Sequence, residues 1–411
     1  MTSIQGKPPR FRFLRATGLP RAYWLLWGGT IVNRIGGFVI PFLTLYLTGP
    51  RGLPVSTAAL MVSLFGAGSF SASLIGGELA DRLGRRPMML ISFFVAPLTM
   101  LMVGLGQSIG VIAGATLLLG FFTDLYRPAV NAAIADMIPP QDRPRAYGYL
   151  YWAINLGAAV APILAGLMAR TNYLLLFFGD ALTTFVFGLI VWIGVRETRP
   201  AELQGGIPLG LGERLRALRR EPILLAFTGL ALLFGTVYMQ GHVTLPIDML
   251  SNGLTPEQYG LAVAINGALI VVLGLPASNA APRWPRFQVM AASGLLLGIG
   301  FGLPALLTTF GGYALSVVVW TLGEIGGATI APAIVSDLAP ADKRGLYLGV
   351  FGAAWGLAFL TGPVVGGWIY QNHGPTALWI SCLIAGGVLG AAFLAMAPAA
   401  QRRMVQVEIG D

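Results

Sequence analysis

Five charged side chains stand inside stretches of sequence that are otherwise apolar: Arg34, Asp124, Arg127, Asp180 and Glu324. A charge held in a low-dielectric segment is costly, and residues of this kind mark routes for ions and polar substrates. Asp124, Arg127 and Asn131 recur at i, i+3 and i+7. That spacing puts them on one helical face, with Asp124 and Arg127 near enough to pair. Glu324 stands mid-stretch. A carboxyl group there can take up and release a proton, bind a cationic substrate, or serve as a structural partner for Arg34 or Arg127. Asp180 lies about 8 residues, ~12 Å at helical rise, from the end of its stretch. Neutral polar groups accompany these charges: Asn33, Asn155, Gln240, His242 and Asn266. Each can join two helices or contact a ligand. Tyr126, Tyr238 and Trp320 suit the wall of an apolar cavity. The sequence has no P-loop, no catalytic triad and no metal-binding cluster. ATP-driven work and enzymatic chemistry therefore have no residue support, and no cofactor or metal is expected.

The elements that position these groups follow from composition. Of 411 residues, 55% are hydrophobic and 10% charged, where soluble domains carry about 25% charged residues. A span needs roughly 20 apolar residues. Such runs fall near 22–48, 56–80, 86–106, 109–138, 145–169, 173–195, 222–248, 257–281, 287–308, 312–338, 345–370 and 375–397. The first is long enough to be a retained helix. The longest interruption, 196–221, contains Gly205, Gly206 and Pro208, then a basic stretch from Arg214 to Arg220. The chain thus divides into an N-terminal segment 1–21, a six-helix half 22–195, a linker 196–221, a second six-helix half 222–397 and a tail 398–411. Of the 26 Lys and Arg residues, 22 lie on the side that holds both termini, and only Arg51 and Arg170 on the other. By the positive-inside rule both termini are cytoplasmic. The net charge of +9 then reflects topology and contact with anionic lipid, not nucleic acid. The single cysteine, Cys382, has no partner for an intramolecular disulfide.

A shift of 201 residues aligns the two halves. Asp136 falls on Asp337, Pro139 on Pro340, Arg143 on Arg344, Gly148 on Gly349, Pro162 on Pro363 and Gly166 on Gly367. Upstream, Arg82 falls on Arg283 and Arg85 on Arg286. Shared glycine and alanine content does not explain matched aspartates and arginines, so the pattern signals a structural repeat. Parallel repeats about an axis along the membrane normal are a transporter architecture. Asp136 and Asp337 end their spans beside Arg143 and Arg344 and read as rim salt bridges or helix-end gates, not substrate ligands.

The segment Gly77-Glu78-Leu79-Ala80-Asp81-Arg82-Leu83-Gly84-Arg85-Arg86 joins spans two and three. It resembles the loop motif of the major facilitator superfamily, G-x-L-A-D-R-x-G-R-R. Gly77 permits close packing, Gly84 a tight turn, and Asp81 can pair with arginine or cap a helix. The resemblance implies that Gly77, Asp81, Arg82, Gly84, Arg85 and Arg86 latch the two halves when the cavity faces outward. The second copy, Ala277 to Arg286, keeps two arginines and lacks the aspartate. Span five carries Gly148, Gly157, Ala161-Pro162 and Ala165-Gly166, similar to the antiporter motif G-x8-G-x3-G-P-x2-G-G with alanine at two glycine positions. Together with Asn33-Arg34-Ile35-Gly36-Gly37-Phe38, Tyr238-Met239-Gln240 and Asn266-Gly267, these segments resemble bacterial twelve-helix drug:proton antiporters. In span four the chain departs from that group's R-x-x-x-G: Pro128 follows Arg127, and Asn131 takes the glycine position. The segment Tyr151 to Gly157 also resembles span five of peptide:proton symporters. Their E-x-x-E-R of span one is Thr30, Asn33 and Arg34 here.

The expectation is an all-α membrane protein with the major facilitator fold, twelve spans in two pseudo-symmetric six-helix bundles. The resemblance implies a secondary transporter, multi-pass in the bacterial cytoplasmic membrane and monomeric, with a small-molecule substrate, protons and the lipid bilayer as its partners. Proton-coupled efflux of hydrophobic or cationic compounds is the first expectation. Symport or facilitated import of a sugar or peptide is the second, and lipid flipping a third. Glu324, Asp124, Arg34, Arg127 and Asp180 are the candidates for proton or substrate. Asn33, Asn131, Asn155, Gln240, Asn266, Tyr126, Tyr238 and Trp320 are the candidates for the cavity wall.

Overall fold

A computed structural model describes residues 18–139, 142–199, 221–280, 283–339 and 344–410, with side chains throughout except at 77, 78, 81, 144, 145, 275, 279, 344–346 and 405–410. The helices are α1 (Arg21–Ile35), α2 (Val39–Thr48), α3 (Val55–Leu83), α4 (Arg85–Leu105), α5 (Ile109–Met137), α6 (Arg143–Thr171) and α7 (Leu174–Gly194) in the first half. The second half holds α8 (Pro222–Tyr238), α9 (Gln240–Ser251), α10 (Pro256–Ala280), α11 (Arg286–Gly302), α12 (Phe310–Leu338), α13 (Arg344–His373) and α14 (Pro375–Gly410). Among the described residues these give 12 spans, because α1–α2 and α8–α9 are each one broken span, Arg21–Thr48 and Pro222–Ser251. Hydrocarbon offers no water to satisfy backbone groups, so helix is the form such runs must take. Their outer faces are apolar and exposed, as at Leu182, Ile193, Val272 and Ile384, which lipid contact requires.

Two ends differ from the sequence reading. The seventh span continues past 248 to Ser251, so Asp248 is inside it. The last helix runs through Pro398 to Gly410, so 398–410 is helical. Arg403 Nη2 sits 3.3 Å from Glu221 Oε2 and ties that extension to the start of α8. The segment 1–17 and the linker stretch 200–220, with its basic run, lie outside the described residues.

Within the first half α3 packs on α5, α4 on α5 and α7, and α1 on α6 and α7; in the second α11 packs on α12 and α14, and α8 on α13. Among the described residues the halves meet mainly along three pairs: α3 with α13, α6 with α10, and α2 with α9. The 201-residue shift carries α3 onto α10 and α6 onto α13, so the first two seams are symmetry equivalents. Both are closed at the face opposite the arginine-rich ends. There Ser56 N donates to Gln371 Oε1 at 2.8 Å, and Arg170 Nη1 pairs with Glu257 Oε1 at 3.1 Å. Midway, glycine lets backbones touch: a Cβ on Gly66 would stand 2.5 Å from the Phe359 carbonyl oxygen, and one on Gly267 2.5 Å from Ala159 Cα. Toward the basic ends the seams part, and a Cβ on Gly349 or Gly352 would meet nothing within 4 Å.

Gly84 alone links α3 to α4, with φ 106°, a conformation that side-chain-bearing residues rarely adopt. A Cβ there would also stand 2.5 Å from Glu197 Oε2. Glu197 follows α7 and accepts from Arg85 N (2.9 Å) and Arg86 N (3.1 Å). It also accepts from Thr198 N and Arg199 N at 2.9 Å each. It thus satisfies the unpaired N–H groups that open α4. Partial burial pushes its carboxyl up, but the four backbone donors outweigh that and hold it below the usual glutamate range. A lowered value in the folded chain means the cap is complete above the usual range and is lost as pH falls through the lowered one. Hydrogen-exchange protection of Arg85 and Arg86, normalised for intrinsic rate, is expected to drop over that acidic window and to show no step in Glu197→Gln. Protection in the wild type that is flat across the window would contradict the cap.

Candidate functional site

A cavity of about 770 Å³ lies between the halves. The first half lines it with Asn33, Arg34, Ser69, Asp124, Tyr126 and Arg127, the second with Tyr238, His242, Asn266, Trp355 and Phe359. One wall is therefore charged and the other aromatic and neutral.

The break in the first span sets the charged wall. α1 stops at Ile35, where Gly36 N closes on the Val32 carbonyl at 3.1 Å. α2 restarts with Phe38 N and Val39 N both donating to Asp180 Oδ2 at 3.1 Å. Asp180 thus caps the second piece of the broken span, where a carboxylate meets unpaired N–H groups and the positive end of the helix dipole. It lines the cavity but is committed to backbone. Asn33 Nδ2 donates to Thr184 Oγ1 at 2.8 Å, which locks α1 to α7. The break leaves Arg34 facing the cavity, with Nη2 on Tyr126 Oη at 3.0 Å and Nε buried without a hydrogen-bond partner.

On α5, Arg127 Nε pairs with Asp124 Oδ1 at 2.7 Å, and the Ser69 hydroxyl donates to Asp124 Oδ2. Glu324, on α12, is held by neutral groups. Tyr238 Oη donates to Oε1 at 3.1 Å, and Asn266 Nδ2 to Oε2 at 2.6 Å. Asn266 Nδ2 also reaches Thr321 Oγ1 at 3.0 Å. Among the described ion pairs none involves Glu324, so the alternative of a structural partner for Arg34 or Arg127 finds no contact.

Several residues expected at the cavity wall do other work. Asn131 is two turns beyond Asp124 and emerges exposed toward the basic rim, where its carbonyl accepts from Tyr147 Oη at 3.0 Å. Asn155 is buried and donates to the Tyr151 carbonyl one turn back at 2.9 Å. Gln240, also buried, donates to the carbonyls of Thr236 (2.9 Å) and Gly362 (3.0 Å). It bridges the broken seventh span to α13. Trp320 is buried behind the wall, stacked on Phe301 with centroids 5.4 Å apart and edge-on to Tyr238. The rim pairs are also rearranged. Asp136 binds Arg85 Nε at 3.3 Å, while Arg143 Nη2 spends its bond on the Ala135 carbonyl at 2.7 Å. The equivalent pair in the second half is Arg286 with Asp337. The basic loop is held within the first half by Arg199 Nη1 on the Arg82 carbonyl (2.8 Å) and Arg86 Nη2 on the Trp192 carbonyl (2.7 Å). The Gly77 and Asp81 expectations rest on side chains outside the described set.

Sequence reasoning passed over one group and left the direction of another, His242, open. Asp248, 1% exposed, accepts from Tyr313 Oη (2.7 Å), Trp379 Nε1 (3.1 Å) and Tyr370 Oη (3.3 Å). Its signal was present, a carboxylate against an apolar run, but the span was taken to end there. His242 lines the cavity with Nδ1 unpartnered; without the helix break at Met239 its side chain has no readable direction.

The sequence model of the family described as Major Facilitator Superfamily matches residues 26–248 and 242–407. A Na(+), Li(+), K(+)/H(+) antiporter of Planococcus maritimus is 24% identical over 82% of this chain and 87% of its own length. The quinolone resistance protein NorA of Staphylococcus aureus (strain MRSA252) is 24% identical over 86% of this chain and 91% of its own. Among solved structures, a peptide transporter POT in complex with sulfate has a TM-score of 0.79 at 19% identity, covering 97% of both chains. That last likeness concerns the fold alone.

Proposed function

The chain belongs to the Major Facilitator Superfamily, and from that premise we propose that it is a proton-coupled exporter of hydrophobic or cationic small molecules. It is a secondary transporter embedded by multiple spans in a membrane. Export proceeds by alternating access, in which the halves 22–195 and 222–397 rock about the cavity and the linker 196–221 joins them. The positive-inside bias supports cytoplasmic termini, so the cavity described above opens toward the cytoplasm. The 77–86 loop then acts as the latch of the opposite, outward-facing state. The protein works as a monomer, without cofactor or nucleic acid.

The observation that carries the reading is Glu324. It is a partly buried carboxylate beside the cavity, held by Tyr238 and Asn266 and with no described cationic partner. Such a group can bind a proton in one state and release it in the other, and a ligand biases two states only by binding them differently. Asp124 is already paired with Arg127 and serves as a second site. The likeness to a cation/H(+) antiporter and to a quinolone resistance protein supports antiport.

The test is transport in proteoliposomes under an imposed pH gradient with dyes, lipophilic cations, sugars and peptides. Substrate moving against the proton flow is expected. Substrate moving with it would overturn export in favour of symport, the reading that Arg34 in the cavity would then favour.

A further inference from the structure

The proposed proton site and the substrate cavity belong to different hollows of the protein. A second groove of about 470 Å³ follows the α6–α10 seam. It is lined by Tyr151 of α6, Ile270, Gly274 and Ser278 of α10, and Glu324 and Thr329 of α12, with Arg286 at its basic end. The two hollows share no lining residue. Glu324 lines the groove, whereas Tyr238 and Asn266, the two groups that hold its carboxylate, line the main cavity. The carboxylate therefore stands in the wall between them.

The repeat explains the arrangement. The 201-residue shift carries Ser73 onto Gly274, Thr123 onto Glu324 and Tyr151 onto Gly352. The groove and the mouth of the main cavity are thus equivalent places on the two symmetry-related seams between the halves. On the α3–α13 side that place holds the Asp124–Arg127 pair; on the α6–α10 side it holds Glu324 alone. The groups facing Glu324 are neutral: Tyr238 of α8, Asn266 of α10, Thr321 of its own helix and Tyr151 of α6 across the groove. The charged group sharing the groove, Arg286, is paired with Asp337.

We infer that protons reach and leave Glu324 through the α6–α10 groove, apart from the cavity that holds the substrate, and that Tyr238 reports its charge across the wall. The inference rests on the proton role proposed for Glu324. An ionised carboxylate accepts from both partners; once protonated, one oxygen carries a hydrogen and becomes a donor. The Tyr238 hydroxyl can then accept that hydrogen and turn its own toward the main cavity, while the Asn266 amide stays on the other oxygen. Proton binding on one side of the wall alters the hydrogen-bonding surface offered to substrate on the other, a local event with a global readout.

Two glycines give matched plugs. A Cβ at Gly274 would meet only Ile270 Cγ2, at 3.8 Å, and one at Gly352 nothing within 4 Å. Gly274→Phe therefore fills the groove and Gly352→Phe the cavity mouth. The measurement is modification of Glu324 in the purified full chain by a water-soluble carbodiimide and an amine, quantified by peptide mass spectrometry. Gly274→Phe is expected to slow it about tenfold, equivalent to about 1.4 kcal/mol on access, with Gly352→Phe close to the wild-type rate. Control by Gly352→Phe, or equal slowing by both, would overturn the separate route. Ser278→Trp, at the exposed end of the groove, repeats the test should Gly274→Phe not fold. Access and coupling fail separately. If Glu324→Gln keeps coupling while the plugs behave as expected, the proton role falls. If it uncouples while Gly352→Phe governs access, the route falls.

Discussion

Glu324→Gln is expected to abolish proton-driven accumulation while leaving substrate exchange without a gradient near its wild-type rate. A difference of one pH unit is worth about 1.4 kcal/mol per proton, enough to sustain about a tenfold substrate gradient for one-for-one electroneutral exchange. The wild type should approach that ratio in proteoliposomes, and the variant should settle near unity. Glutamine keeps the size of the side chain and an oxygen for Tyr238, 3.1 Å away in the native protein, but has no site to ionise. Glu324→Asp keeps the titrating group and should retain coupling at a reduced rate. A glutamine variant that still concentrates substrate against the proton gradient would remove Glu324 from the mechanism and leave Asp124 as the remaining candidate on the cavity wall.

The second large effect concerns stability. Asp248→Ala would leave three donors, Tyr313 Oη, Tyr370 Oη and Trp379 Nε1, without their shared acceptor at a site 1% exposed. A buried polar group stripped of its partner costs about 1–3 kcal/mol, so a loss of roughly 3–5 kcal/mol is expected, read as a lowered thermal-unfolding midpoint in nanodiscs. Asp248→Asn keeps one acceptor oxygen and should cost less, on the order of 1 kcal/mol. The site joins α9 to α12, α13 and α14 next to the closed end of the α3–α13 seam. Loss of its acceptor should therefore also loosen the Ser56–Gln371 contact of that closed end. An unchanged midpoint in Asp248→Ala would show that the three donors find other partners.

Particular residues show where sequence sufficed. Length and hydropathy gave twelve spans because a bilayer admits few backbone solutions, and the 201-residue register gave two related halves because aspartate and arginine matches do not arise from shared composition. Arg34, Asp124, Arg127 and Glu324 stood out because each is expensive in hydrocarbon. Helical spacing alone gave the Asp124–Arg127 pair, since i and i+3 share a face whatever surrounds them. The same spacing placed Asn131 on that face but not its depth, and two further turns carried it to the exposed rim.

The sequence by itself determined the class of protein, its span count, its repeat and the short-range pairs, all of which follow from periodicity and the cost of burying charge. Only the tertiary structure decided which polar group meets which. Asp180 became the cap of a broken helix, Gln240 a bridge to α13, and Asp136 the partner of Arg85 rather than Arg143. It also turned Glu324 toward a groove distinct from the cavity that its partners line. These contacts join residues tens to more than a hundred positions apart, across helices whose rotation and break points come from packing. No local pattern encodes them.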